Sequence, residues 1–114
     1  MSKRTVVPLR ATTDALSTLG AQIRLARHAR RWTAADLATK IGVSERTVLA
    51  LESGAPGTSI GTVFNAAVMA GVPLFGTDDR AELARMRYTG EQQLALIKSR
   101  VYHPRRPDTD DDFF

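Results

Sequence analysis

Between Trp32 and Gly54 the chain reads WTAADLATKIGVSERTVLALESG, two short amphipathic pieces, each opened by a hydroxyl residue and separated by a single Gly-Val-Ser. No other stretch limits the fold as much. The Thr33 hydroxyl can cap the free N–H groups of a helix, and Asp36, three residues on, can reach back to complete a shortened capping box. Trp32 before the cap and Leu37 after it form the pair expected of a hydrophobic staple. Leu37, Ala38 and Ile41 supply the apolar face, and Gly42 can take the left-handed conformation that ends a helix. Ser44 then caps the next helix, with Val43 and Val48 as its staple pair and with Val48, Leu51 and Leu49 predicted to face inward.

The rest of the chain reads as helices around this pair. From about Thr13 to Arg30, Leu16, Leu19, Ile23 and Ala26 recur at three- and four-residue steps, one face of a helix, while Arg24, Arg27 and Arg31 form a basic ridge on another. Ser53 to Gly57 is a loop by composition. Ser59 is expected to cap a fourth helix with an apolar stripe of Ile60, Val63, Phe64, Ala67 and Val68, closed by Gly71. After a turn at Phe75-Gly76-Thr77, Thr77 with Asp78 and Asp79 marks a helix start, because acidic side chains suit the positive end of the helix dipole. That helix is predicted to reach about Lys98, with Leu83, Met86, Leu94 and Ile97 inward and a break near Thr89-Gly90. The expected organisation is a flexible arm over 1–11, a domain over 12–76, a helical extension over 77–100 and an acidic-ended tail over 101–114.

Charge and composition point to a partner and away from chemistry. The formal charge of the 114 residues is +4, but Asp108, Asp110, Asp111 and Asp112 hold a third of the acidic groups. Residues 1–107 therefore carry sixteen basic against eight acidic side chains, a balance of +8. A body so basic matches a polyanion such as nucleic acid. With no cysteine, disulfide frameworks and thiolate catalysis are excluded, and His28 and His103 are too few and too far apart for a metal site. No activated nucleophile is recognisable, and the glycines from Gly54 to Gly61 lack dinucleotide or P-loop spacing and a lysine. No enzyme activity, cofactor or metal is expected. No apolar run approaches a bilayer span, and MSKRTVVPLR lacks the apolar core of a secretory signal, so a cytoplasmic protein is expected.

Two short helices joined by a tight glycine turn meet the physical demands of a helix-turn-helix. Val48 and Leu51 would anchor the second helix so that Ser44, Glu45, Arg46, Thr47 and Ala50 face outward, ready for the major groove of B-DNA. The segment from about Leu19 to Leu74 resembles the lambda-repressor-like (Cro/Xre) helix-turn-helix family. The blocks that carry the likeness are Ile23-Arg24 with Arg27, Trp32 to Ala38, Gly42 to Ser44 and Leu51 to Gly54. The resemblance implies an all-α, five-helix domain with a flexible N-terminal arm and a C-terminal tail, binding operator DNA as a homodimer and repressing transcription. The family often has Gln directly after the Thr that opens the second helix. Here that position is Ala34, so its phosphate contact is not carried over.

Individual roles follow from chemistry. Arg46 can bond guanine O6 and N7 or a phosphate, and Glu45 can accept from a cytosine amine or serve only the helix dipole. Thr47 and Ala50 can touch thymine methyls. Arg27, Arg31, Thr33 and Ser44 are candidate phosphate contacts, which position without reading sequence. Leu-Ala-Leu-Ile-Lys-Ser-Arg-Val and the acidic end are similar to HipB-type antitoxins, which implies a HipA-type kinase toxin as partner and a tail, Asp110, Asp111, Asp112, Phe113 and Phe114, that binds it. The alternatives are a stand-alone Xre-type regulator, or a protein-binding module using the helix-turn-helix as scaffold.

Overall fold

The computed structural model describes residues 5–101, with side chains through Ile97. Five helices run through them: α1 (Arg10–Ala29), α2 (Ala34–Ile41), α3 (Glu45–Glu52), α4 (Ile60–Ala70) and α5 (Arg80–Val101). The fold is all-α, as expected. The chain divides into a first unit ending at Asp78 and a second beginning at Asp79.

In the first unit, α1 to α4 share one core. Ile23, Leu37 and Val48 are fully buried, joined by Ala34, Ala38, Leu51, Val63, Ala66, Ala67, Ala70 and Val72. Ser59, at the cap position of α4, makes no side-chain cap bond, whereas the ends around the α2–α3 turn follow from their local sequence. Thr33 and Asp36 complete the capping box of α2, with the Asp36 N–H donating to Thr33 Oγ1 at 3.0 Å and the Thr33 N–H to Asp36 Oδ2 at 2.8 Å. Gly42 is left-handed (φ 76°), and the Val43 N–H donates back to the Ala38 carbonyl at 3.0 Å, so the chain reverses within one residue. The end of α1 uses the same device without glycine. Arg31 takes φ 62°, its N–H donates to the His28 carbonyl and the Trp32 N–H donates to Arg27. Trp32 and Val43, the residues just past these turns, both pack against the core.

The structure departs from the sequence reading at several boundaries. Helix α1 starts at Arg10, inside the stretch read as arm, where the N-cap Leu9 is extended and its carbonyl accepts the first turn's bond from the Thr13 N–H. Helix α4 buries only part of the predicted stripe: Val63 and Ala67 are buried as expected, joined by Ala66 and Ala70, while Ile60 and Val68 are 71% and 55% exposed. Alanines allow close helix approach, which the larger stripe would prevent. Phe64, on the edge of that stripe, instead meets Phe75 edge-to-face at 6.0 Å. Thr77 does not open α5. Its N–H and carbonyl exchange bonds with Leu74 across a two-residue turn, and Asp79 caps the helix through the Ala81 N–H at 2.9 Å.

In the second unit, α5 runs unbroken through Thr89-Gly90. Arg87–Glu91 and Tyr88–Gln92 bonds span that point at four-residue spacing, each worth a few tenths of a kcal/mol against about 1 kcal/mol lost at a helical glycine. Leu83 is half-buried, whereas Met86, Leu94 and Ile97 are exposed and not inward as predicted. Val101 ends this helix, so it is not part of an extended tail. No helix among the described residues is long and apolar enough to cross a membrane.

Candidate nucleic-acid interface

Helix α3 is about two turns long and divides cleanly by side. Val48, Leu51 and Glu52 are buried, while Glu45, Arg46, Leu49 and Ser53 are exposed, with Thr47 and Ala50 half-buried between them. Its first turn is fixed by Ser44, whose Oγ accepts from the Thr47 N–H at 3.1 Å and lies 3.0 Å from Thr47 Oγ1. Gly42 closes α2 before it, and Glu45 and Arg46 are both exposed in the first turn of α3. Leu49 had been expected inward. It is 49% exposed because Val48, Leu51 and Glu52 already fill the side that faces α1 and α2.

What holds α3 in place is an ion pair absent from the sequence reading. Arg27 is only 5% exposed and grips Glu52 with both arms, Nε donating to Oε2 at 2.7 Å and Nη2 to Oε1 at 2.9 Å. Its remaining Nη1 donates to the Trp32 carbonyl at 2.9 Å. Hydrogen bonding to Glu52 raises the guanidinium's already high pKa, outweighing the opposing effect of burial. Three of the five Arg27 N–H donors are engaged inside the fold and the side chain is buried, off the exposed ridge, which argues against the phosphate contact expected of it. Arg24 and Arg31 do remain exposed. A signal for the pair was available, because Glu52 falls four residues after buried Val48 on the same helix face, and a carboxylate placed inward needs a cation.

Close by, Gly20 of α1 packs directly on the C-terminal end of α3, where an added Cβ would lie 2.5 Å from the Glu52 carbonyl oxygen and 2.6 Å from that of Leu51. Ala38, placed on the apolar face of α2 from the sequence, is buried in the core as expected.

The remaining predicted phosphate contacts are all exposed. Thr33 and Ser44 are exposed, each at the N-terminus of its helix, and Arg31 stands at the left-handed turn before α2. Ala34, at the position where the family often has Gln, is buried. Trp32 is half-buried against the core, with Arg30 Cζ 5.2 Å and Lys40 Nζ 4.7 Å from its ring centroid. Arg30 also donates to the Ala70 carbonyl at 3.0 Å, tying α1 to the end of α4. Residues 110–114, the predicted partner-binding tail, lie outside the described residues, as does His103.

The Asp36 carboxylate is held below its ordinary pKa, chiefly by the bond from the Thr33 backbone and then by the Thr33 side chain. A pKa lower in the folded than in the unfolded state means that the carboxylate's contribution is complete above the ordinary aspartate range and lost as pH falls through the lower folded value. The stability difference between wild type and Asp36→Asn, measured by urea unfolding, should therefore be flat at neutral pH and disappear only in strong acid. A difference that persists there would rule out the ionised cap as its source.

No curated protein matches the chain. A sequence model of the helix-turn-helix domain matches residues 18–86, more than half of the chain, spanning most of α1 through the first turns of α5. With the capped α2, the left-handed Gly42 and α3 in register within that span, this chain belongs to the helix-turn-helix domain family, which supports a DNA-binding regulator.

Proposed function

We propose that this protein is a sequence-specific DNA-binding repressor of transcription that acts as a homodimer. The observation that carries the reading is α3 itself, whose anchoring side is buried while Glu45 and Arg46 are exposed in its first turn. In this reading Arg46 bonds a guanine edge, Glu45, Thr47 and Ala50 complete the base contacts, and Arg31, Thr33 and Ser44 hold phosphates. The net positive charge of residues 1–107 supports it. A single two-turn helix buries little DNA surface, and two-fold pairing would set two such helices about 34 Å apart on successive major grooves.

The narrower form of the proposal is an antitoxin that represses its own gene and restrains a HipA-type kinase toxin. Its support is the similarity of residues 94–101 and the acidic end to HipB-type antitoxins. Co-expression with the product of a neighbouring kinase-like reading frame, followed by co-purification, tests this form. Retained binding after deletion of residues 102–114 would remove the tail from it.

The central test is a mobility-shift titration on DNA from upstream of the protein's own gene, at two salt concentrations. Wild type should prefer that DNA over scrambled competitor and lose affinity steeply with salt, as released counterions require. Arg46→Ala should weaken specific binding by roughly ten- to a hundredfold and leave non-specific binding nearly unchanged. Equal affinity for both DNAs would defeat the repressor reading and leave the helix-turn-helix as scaffold for a protein partner.

A further inference from the structure

Leu49 is an exposed apolar side chain in the middle of a polar helix face. An isolated exposed leucine is ordinary. This one is set apart by its neighbours: at about 100° per residue it projects between Glu45, about 40° to one side, and Arg46, about 60° to the other. Ser53, the next exposed residue on that face, returns its hydroxyl to the Ala50 carbonyl at 2.8 Å and offers no donor in Leu49's place. Val48 and Leu51 lie on the buried side of the helix, and the core is complete without Leu49.

From this placement we infer that Leu49 is a specificity-determining residue that reads the C5-methyl group of a thymine in the major groove. The inference rests on the assignment of α3 as the DNA-reading helix. A leucine between two charged readers can form no hydrogen bond, so any base that presents only polar groups to it loses water without replacement. Thymine is the one standard base with an apolar group on its major-groove edge. Leu49 stands about 4.5 Å along the helix axis from Arg46, close to the base-pair rise of about 3.4 Å. The thymine is thus placed within two base pairs of the guanine bonded by Arg46.

The test uses the full-length protein and duplexes selected from a randomised pool by the wild type. Each thymine of the selected sequence is replaced singly by uracil, which removes only the methyl group. At one position next to the Arg46 guanine, wild type should lose roughly fourfold in affinity. Leu49→Ala, which should melt at the wild-type temperature, should be indifferent to that replacement while keeping its preference for the guanine. If wild type selects a sequence but no uracil replacement costs affinity, or if Leu49→Ala loses as much as wild type, Leu49 does not read a methyl and the DNA-reading assignment still stands. If wild type selects no sequence, the assignment falls and this inference with it.

Discussion

Glu52→Gln should destabilise the domain by about 3–5 kcal/mol, the range found when one partner of a buried ion pair is removed. Against a total stability of about 5–15 kcal/mol for a small domain, that loss brings the first unit close to unfolding at ambient temperature. The cause is specific. Arg27 is 5% exposed and has no second carboxylate among its bonded partners, so neutralising Glu52 leaves a guanidinium buried without its counter-charge. Arg27→Met strands the carboxylate in the same way. Combined with Glu52→Leu, it should recover most of the loss, because neither charge then remains to be desolvated. Urea unfolding followed by circular dichroism measures all three variants, and a double variant no more stable than either single one would refute the account. DNA binding gives an independent check. Since Arg27 does not face solvent, folded Arg27→Met should bind DNA with the same salt slope as wild type, whereas loss of a phosphate contact would lower that slope by about one.

Gly20→Ala should cost about 3 kcal/mol, although alanine is the better helix former by about 1 kcal/mol. The new Cβ would lie 2.5 Å from the Glu52 carbonyl oxygen and 2.6 Å from that of Leu51. Both obstacles are backbone at the end of α3, so no side chain can swing aside and α1 and α3 must separate. Gly90→Ala supplies the opposite sign. Nothing lies within 4 Å of a Cβ built there, and the position is inside α5. Its only effect should be the propensity gain, seen as increased helicity. Thermal melts of both variants decide the matter, and a stabilised Gly20→Ala would show that the α1–α3 crossing tolerates more than its geometry allows.

The features legible in the sequence were those set by near neighbours in the chain. Thr33 with Asp36, Gly42 and Ser44 each act within four residues, so their chemistry could be read directly, and with them the helix-turn-helix. Ile23, Leu37 and Val48 followed from periodicity. The misreadings arose where distant elements decide the outcome. Helix α4 has apolar residues on more than one side, and only the closeness of its neighbours selects the alanine face over Ile60 and Val68. Arg27 looked like one tooth of a basic ridge until Glu52, twenty-five residues away, was brought against it. Leu49 sits beside Val48 in the chain and shares its apolarity, yet a helix of two turns has room to bury only one side. At Gly90 the helix continues because one interior glycine costs only about 1 kcal/mol, too little to interrupt a helix of 22 residues.

The division of α3 bears on how such a protein can change over generations. The residues that fasten it, Val48, Leu51 and Glu52, and those that stand outward, Glu45, Arg46 and Leu49, are different sets on the same two turns. Surface substitutions away from packing or networks usually change stability by no more than about 0.5 kcal/mol. Mutations can therefore accumulate on the outward set without bringing the fold to its stability threshold. A duplicated copy of the gene could acquire a new address while keeping an intact scaffold, and the two copies would diverge first at positions 45, 46 and 49.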